Sequence, residues 1–175
     1  MCRGFGHALR MSNYRRQYLP GGTYFFTVNL LERRGRLLVE HIGLLREAFN
    51  EARRFRPFEI IAIVILPDHL HCIWRLPEGD SDNAIRWQHI KSTFSKGLPK
   101  TERLSKSRVK RNERGIWQRR FWEHVIADDE DLSNHINYVY INPLRHGHVR
   151  KVCDWPYSSF HRDVKLGIYP ENWAG

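Results

Sequence analysis

Cysteine is scarce in this chain, and long apolar runs are missing. Its 175 residues include three cysteines, Cys2, Cys72 and Cys153, with no C-x-x-C pair among them. An odd, scattered set excludes a disulfide framework and fits a reducing cytosol. No stretch approaches the roughly 20 apolar residues that a membrane-spanning helix needs. The opening MCRGFGHALRMSNYRR lacks the apolar core of a secretory signal. These absences predict a cytoplasmic protein with no membrane partner. No internal repeat is visible. Acidic charge is in deficit too: 19 Asp and Glu stand against 29 Lys and Arg, a net charge of +10. Such a surplus in a small domain favours a polyanionic partner, most often nucleic acid.

What remains is globular in composition, with 41% hydrophobic and 13% aromatic residues. The length fits one domain of about 100–200 residues with a real core. Met11 is a second plausible start, so residues 1–13 read as an N-terminal extension and 14–175 as a single domain. GGTYFFTVNL, Gly21–Leu30, reads as a strand after a Gly-Gly turn. Leu44, Leu45, Ala48, Ala52 and Phe55 recur at helical spacing over Gly43–Phe55. FEIIAIVIL, Phe58–Leu66, is apolar and β-branched enough to predict a central strand. After a Pro67-Asp68 turn comes a strand over His69–Leu76, expected antiparallel to it. A helix is expected over Ser81–Leu98, then a polar, basic, mobile loop over Pro99–Gly115. A fourth strand lies within Trp117–Ile126. A helix over Asp128–Asn142 has acids in its first turn and Pro143 to end it. The tail carries one short helix. The order β-α-β-β-α-β plus a further helix predicts an α+β fold of the ferredoxin-like, RRM-like kind with an antiparallel sheet.

The stretch LPDHLHCIW, Leu66–Trp74, sets two histidines one residue apart on a strand. Alternation puts His69, His71, Ile73 and Arg75 on one face and Leu70, Cys72, Trp74 and Leu76 on the other. The second set is apolar and expected under the helices, leaving the histidines on the open face. Two imidazoles so placed can converge on one metal ion. Alone, such a pair is more often structural. On the last long helix, Leu132, Ile136 and Val139 form an apolar stripe, with Tyr140 about 80° from Leu132 and Tyr138 about 120° away on the other side. Tyr138 and Asn142 are an i,i+4 pair on one face. Tyr140 reads as a core aromatic, and Asp68 as a turn residue.

Taken together, NYRRQYLPGGTYFFTVNL, LPDHLHCIWRLPEGD, KSTFSK, IWQRRFWEHVI, NYVYINPLRHGHV, DWPYSSFHRDV and YPENWAG resemble, in this order, the single-tyrosine HUH transposases, in particular the REP-associated tyrosine transposases. The resemblance spans nearly the whole chain. It departs at residues 1–10, which match nothing in the family, and at the long basic loop. It implies that His69 and His71 are the HUH pair, Tyr138 the catalytic nucleophile and Asn142 a third metal ligand. Arg15 and Arg16 match the segment that reads a short guide sequence at the foot of a DNA hairpin. The implied activity cleaves and rejoins single-stranded DNA at hairpin-forming repeats through a 5′-phosphotyrosine. Mixed nitrogen and oxygen ligands suit a divalent metal, Mg2+ or Mn2+.

Further DNA-binding candidates follow from charge and position. Lys100, Arg103, Lys106, Arg108, Lys110, Arg111 and Arg114 crowd the loop, and Arg119 and Arg120 extend it. Arg145 and His146 follow the tyrosine helix, with His148 close by. Arg162 is a further phosphate candidate. Trp117, Phe121 and Trp122 can stack bases but in a strand are more often core. Two other readings stand beside the transposase. A non-catalytic RRM-like module would need aromatics where this chain has His69 and His71. A metallohydrolase would leave Tyr138 without a role. Monomer and homodimer both remain open.

Overall fold

A turn at Gly21, whose φ of 69° suits glycine, launches the strand on which the sheet is built. β1 (Thr23–Asn29) pairs antiparallel with β3 (His69–Arg75) on one side and β4 (Trp122–Val125) on the other. β2 (Glu59–Ile65) pairs antiparallel with β3, giving the order β2-β3-β1-β4. This computed structural model describes residues 18–102, 104–111 and 113–174. The expected N-terminal extension, Arg15, Arg16 and Arg103 lie outside those residues. The sheet order and the βαββαβ succession match the α+β expectation.

The apolar alternation settles on one face as expected. Tyr24, Phe26 and Val28 of β1 and Leu70, Cys72 and Trp74 of β3 are fully buried. Helices α2 (Ile42–Phe55) and α3 (Asn83–Lys96), packed on each other, complete this core with Ala48, Phe49, Trp87 and Ile90. Trp74 stacks on Trp87 at 4.6 Å and meets both Phe26 and Phe58 at 4.4 Å. Such aromatic pairs contribute about 0.5–1.5 kcal/mol each beyond their buried area. The indole N–H of Trp74 donates to Asn83 at 2.7 Å, and Asp82 caps α3 by accepting from the Ile85 amide at 3.1 Å. A short α1 (Leu37–Glu40) precedes α2.

The second face carries the corrections. Helix α5 (Asp129–Arg145) lies across β2 and β3. The histidine face is therefore covered rather than open. Pro143 does not end α5. It lacks only the N–H that would reach Val139, one turn from the end. The stop is Gly147, at φ 71°. Its amide donates to Leu144 at 3.0 Å and the His148 amide to Pro143 at 2.9 Å, a glycine-terminated Schellman cap. β2 is an edge strand, not a central one. Along its free side the Ile65 amide donates to the Tyr157 carbonyl at 2.8 Å, and the Ser159 amide donates to the Ile63 carbonyl at 2.9 Å. That strip seals the edge, which explains why so apolar a sequence can sit there. The basic loop is not wholly irregular: it holds α4 (Lys106–Lys110). The tail forms a 3-10 turn, Val152–Asp154, and α6 (Phe160–Lys165). No helix among the described residues is long and apolar enough to cross a membrane.

Candidate active site

The two histidines sit where β3 meets the end of β1, with His69 opposite Asn29 and His71 opposite Thr27. Both are buried, and their rings stand 5.0 Å apart, nearly perpendicular. Each is fixed through Nδ1. His69 donates to the Asp68 carboxylate at 2.7 Å, and His71 shares a 3.0 Å bond with the Thr27 hydroxyl. The Nε2 atoms are thus left for another partner, the usual orientation of a metal-ligating imidazole. Asp68 does more than turn the chain: its other oxygen accepts from Arg33 at 2.7 Å. Burial works to raise the Asp68 pKa, but the bonds from His69 and Arg33 outweigh it and hold the carboxyl below its ordinary value.

Burial lowers the pKa of His69, against the opposing pull of Asp68. It lowers that of His71 to about 3, helped by neighbouring His69 and His146 and opposed by the Asn142 side chain beside the ring. Both imidazoles are consequently neutral near pH 7, the state in which nitrogen binds a metal.

Helix α5 brings the remaining parts. Asp128 caps it, accepting from the Asp131 amide at 2.8 Å, and three acids occupy the first turn. Asn142 is buried beside the His71 ring. Its Oδ1 and His71 Nε2 have no hydrogen-bond partner in the protein. An unpaired buried polar atom costs about 1–3 kcal/mol, and a divalent cation accepts both donor types. These residues therefore fit a metal. Tyr138, one turn earlier, is 38% exposed, with its ring 5.2 Å from His71. Arg145 sets its guanidinium 5.9 Å from the Tyr138 ring centre. Tyr140 is fully buried and donates to Asp163 at 2.5 Å. Burial and that carboxylate raise its pKa. The two tyrosines are thus separated by environment, one at the rim of the site and one in the core.

Other expectations fare unevenly. His146, expected as a DNA contact, packs against His69 at 5.2 Å. Arg162 is spent on the fold. It donates to Asp163 at 2.7 Å, to the Ile60 carbonyl at 3.2 Å and to the Ile61 carbonyl, holding the β2 edge. Arg114 binds Glu102 and the carbonyls of Ser95, Leu98 and Pro99, so it pins the loop rather than facing solvent. Arg111 and Arg119 pair with Glu113 at 3.3 and 3.2 Å. Lys100, Lys106, Lys110 and Arg120 are exposed, and Arg108 is half-buried. Trp117 is core and Phe121 packs on it, whereas Trp122 is 43% exposed. A group not expected from the sequence is His124, Asp131 and His135, whose ligand atoms lie within 4.8 Å of one another. Only Asp131 and His135 carried a signal, at i,i+4; His124 joins them through the pairing of β4. In this structure both imidazoles are bonded to Asp131, at 2.8 and 2.9 Å.

No family model matches the chain. It is 51% identical over 167 residues to a REP-associated tyrosine transposase of Escherichia coli (strain K12), covering 94% of this chain and 92% of that one. It is 54% identical over 166 residues to a Haemophilus influenzae protein provisionally given the same designation, covering 94% of each. A solved REP-associated tyrosine transposase bound to a REP hairpin superposes with a TM-score of 0.81 at 50% identity, covering 94% of this chain and 92% of that one. With buried histidines, a rim tyrosine and this likeness along nearly its whole length, the chain belongs to the REP-associated tyrosine transposases.

Proposed function

We propose that this transposase cleaves and rejoins single-stranded DNA at hairpin-forming repeats, with Tyr138 as nucleophile and a divalent metal as cofactor. One observation carries the reading: a half-exposed tyrosine borders two buried ligand atoms, His71 Nε2 and Asn142 Oδ1, that lack protein partners. His69, His71 and Asn142 would hold Mg2+ or Mn2+. When bound, such an ion polarises the scissile phosphate and stabilises the charge that develops on it. Asp68 and Thr27 keep the two imidazoles in the ligating orientation. The Tyr138 oxygen forms a bond to phosphorus as the bond from phosphorus to the 3′ oxygen breaks. The phenol proton leaves to water at the exposed rim, and the departing oxygen takes up a proton to become a 3′-hydroxyl. The resulting 5′-phosphotyrosine stores the bond energy, so another 3′-hydroxyl can reverse the step without an external energy source. Arg145 lies near enough to the Tyr138 ring to steady the phosphate under attack.

The test is incubation of the protein with Mn2+ and hairpin oligonucleotides from palindromic repeats beside its coding sequence. A denaturing gel should show a covalent adduct with the wild type and Tyr140→Phe, and none with Tyr138→Phe, which still binds the hairpin. Hairpin binding without an adduct in any metal would leave a non-catalytic binding module instead.

A further inference from the structure

Helix α5 covers only the β2–β3 half of its face of the sheet. On the other half the β1–β4 register sets Thr27 beside Trp122 and Phe25 beside His124. A cavity of about 490 Å³ opens there, against the flank of α5. Its floor is Phe25, almost wholly buried. Trp122 stands on that floor edge-on, at 5.6 Å and 71°. Tyr138 stands on it likewise, at 5.8 Å and 73°. The cavity is thus a slot with two exposed aromatic walls, one of them the nucleophile. Asn29 and Asn134 bring carboxamide side chains to its lining, and His135 brings an imidazole. His135 is held at 2.8–2.9 Å by the Asp131 carbonyl and carboxylate, and stacks on His124 at 4.7 Å.

We infer that this slot binds one nucleobase of the DNA strand, from a nucleotide flanking the phosphate that Tyr138 attacks. The inference rests on the proposed chemistry of Tyr138 and adds a specificity site to it. A phosphate within bonding reach of Tyr138 brings its own nucleotides to the Tyr138 wall. A single-stranded base there has lost its stacking partners and gains a new one in Trp122. Stacking on an aromatic side chain is tolerant of base identity. The carboxamides are not: each offers a donor and an acceptor, the pattern that reads a base edge. The slot therefore combines a platform for any base with groups that prefer some. A net charge of +10 favours a nucleic-acid strand over an apolar peptide as the occupant.

The experiment uses the full chain carrying Tyr138→Phe, which keeps the aromatic wall but cannot form an adduct. Hairpin oligonucleotides with unpaired tails carry 2-aminopurine at each unpaired position in turn, and its fluorescence is read on binding. One position should be quenched well beyond the others. Trp122→Leu should abolish that quenching, and Trp122→Phe should restore most of it. In the Tyr138 enzyme, Trp122→Leu should raise the oligonucleotide concentration for half-maximal adduct formation by about 5- to 150-fold, the range expected for one lost stack. Asn134→Ala, on the exposed side of α5, should flatten the base preference at that same position. Uniform quenching along the tail, or Trp122→Leu matching wild type in both quenching and concentration dependence, would overturn the slot. Quenching needs only binding, so an absent adduct with an intact Trp122-dependent signal would refute the chemistry of Tyr138 and leave the base site standing.

Discussion

Replacing Asp68 tests how the proposed metal site is held together. Asp68 Oδ1 accepts from His69 Nδ1 at 2.7 Å while Oδ2 holds Arg33, and its side chain is only 15% exposed. A hydrogen bond to a charged group contributes about 1.5–3 kcal/mol, roughly twice a neutral one. Asp68→Asn keeps the shape and a neutral acceptor, so about half of this is lost, or about 4- to 13-fold in Mn2+ affinity. Asp68→Ala removes the acceptor and frees the His69 ring to turn, for a loss of about 10- to 100-fold. Calorimetric titration with Mn2+ reads the affinity directly. Adduct formation should need correspondingly more metal while reaching the same plateau. The decisive control is His69→Ala, in which a further change at Asp68 should have little effect. An equal loss from Asp68→Ala in both backgrounds would refute the claim that Asp68 acts through His69.

Acid should destabilise the metal-free protein through His71. Its pKa is about 3 when folded against an ordinary 6.5, so between those values the unfolded chain binds the extra proton. Stability from this group is complete above about pH 6.5 and declines as pH falls, by at most about 1.4 kcal/mol per pH unit. Urea titrations in chelator should show that decline, and His71→Gln should flatten it. Tyr140→Phe should lower unfolding free energy by about 1–3 kcal/mol, because buried Asp163 loses a donor, while adduct yield in the folded range is kept. Arg162→Met should lower the urea midpoint, since it opens the β2 edge, and leave the salt dependence of hairpin binding unchanged. Lys106→Ala and Lys110→Ala should do the reverse, each lowering the slope of log affinity against log salt by about 0.9 if it neutralises a stem phosphate.

The parts of this structure legible in the sequence are those governed by local period. Alternation along His69–Arg75 placed both histidines on one face, and the 100° rotation of α5 separated Tyr138 from Tyr140. What was not legible depends on partners distant in the chain. β2 reads as central because it is apolar, yet its neighbour on one side is a strip whose Ser159 lies 96 residues beyond Ile63. Arg162 looks like a free cation until its carbonyl partners on that strand are known. His146 reads as a basic neighbour of DNA and is exposed, but its second contact, the ring of His69, could not be read from local period. Pro143 misleads for a simpler reason: near a helix end the bond it forfeits is a single one. Trp122 shares a strand with core residues, and its exposure follows from how little of the sheet α5 covers.

The central claim is that Tyr138 attacks the phosphate. After incubation with Mn2+ and a hairpin oligonucleotide, nuclease trimming and proteolysis should yield the peptide containing Tyr138 heavier by a 5′-linked nucleotide. Mass spectrometry locates that modification by residue. The account predicts it on Tyr138 and its loss in Tyr138→Phe. A nucleotide on another side chain, or strand cleavage with Tyr138 unmodified throughout, would contradict it.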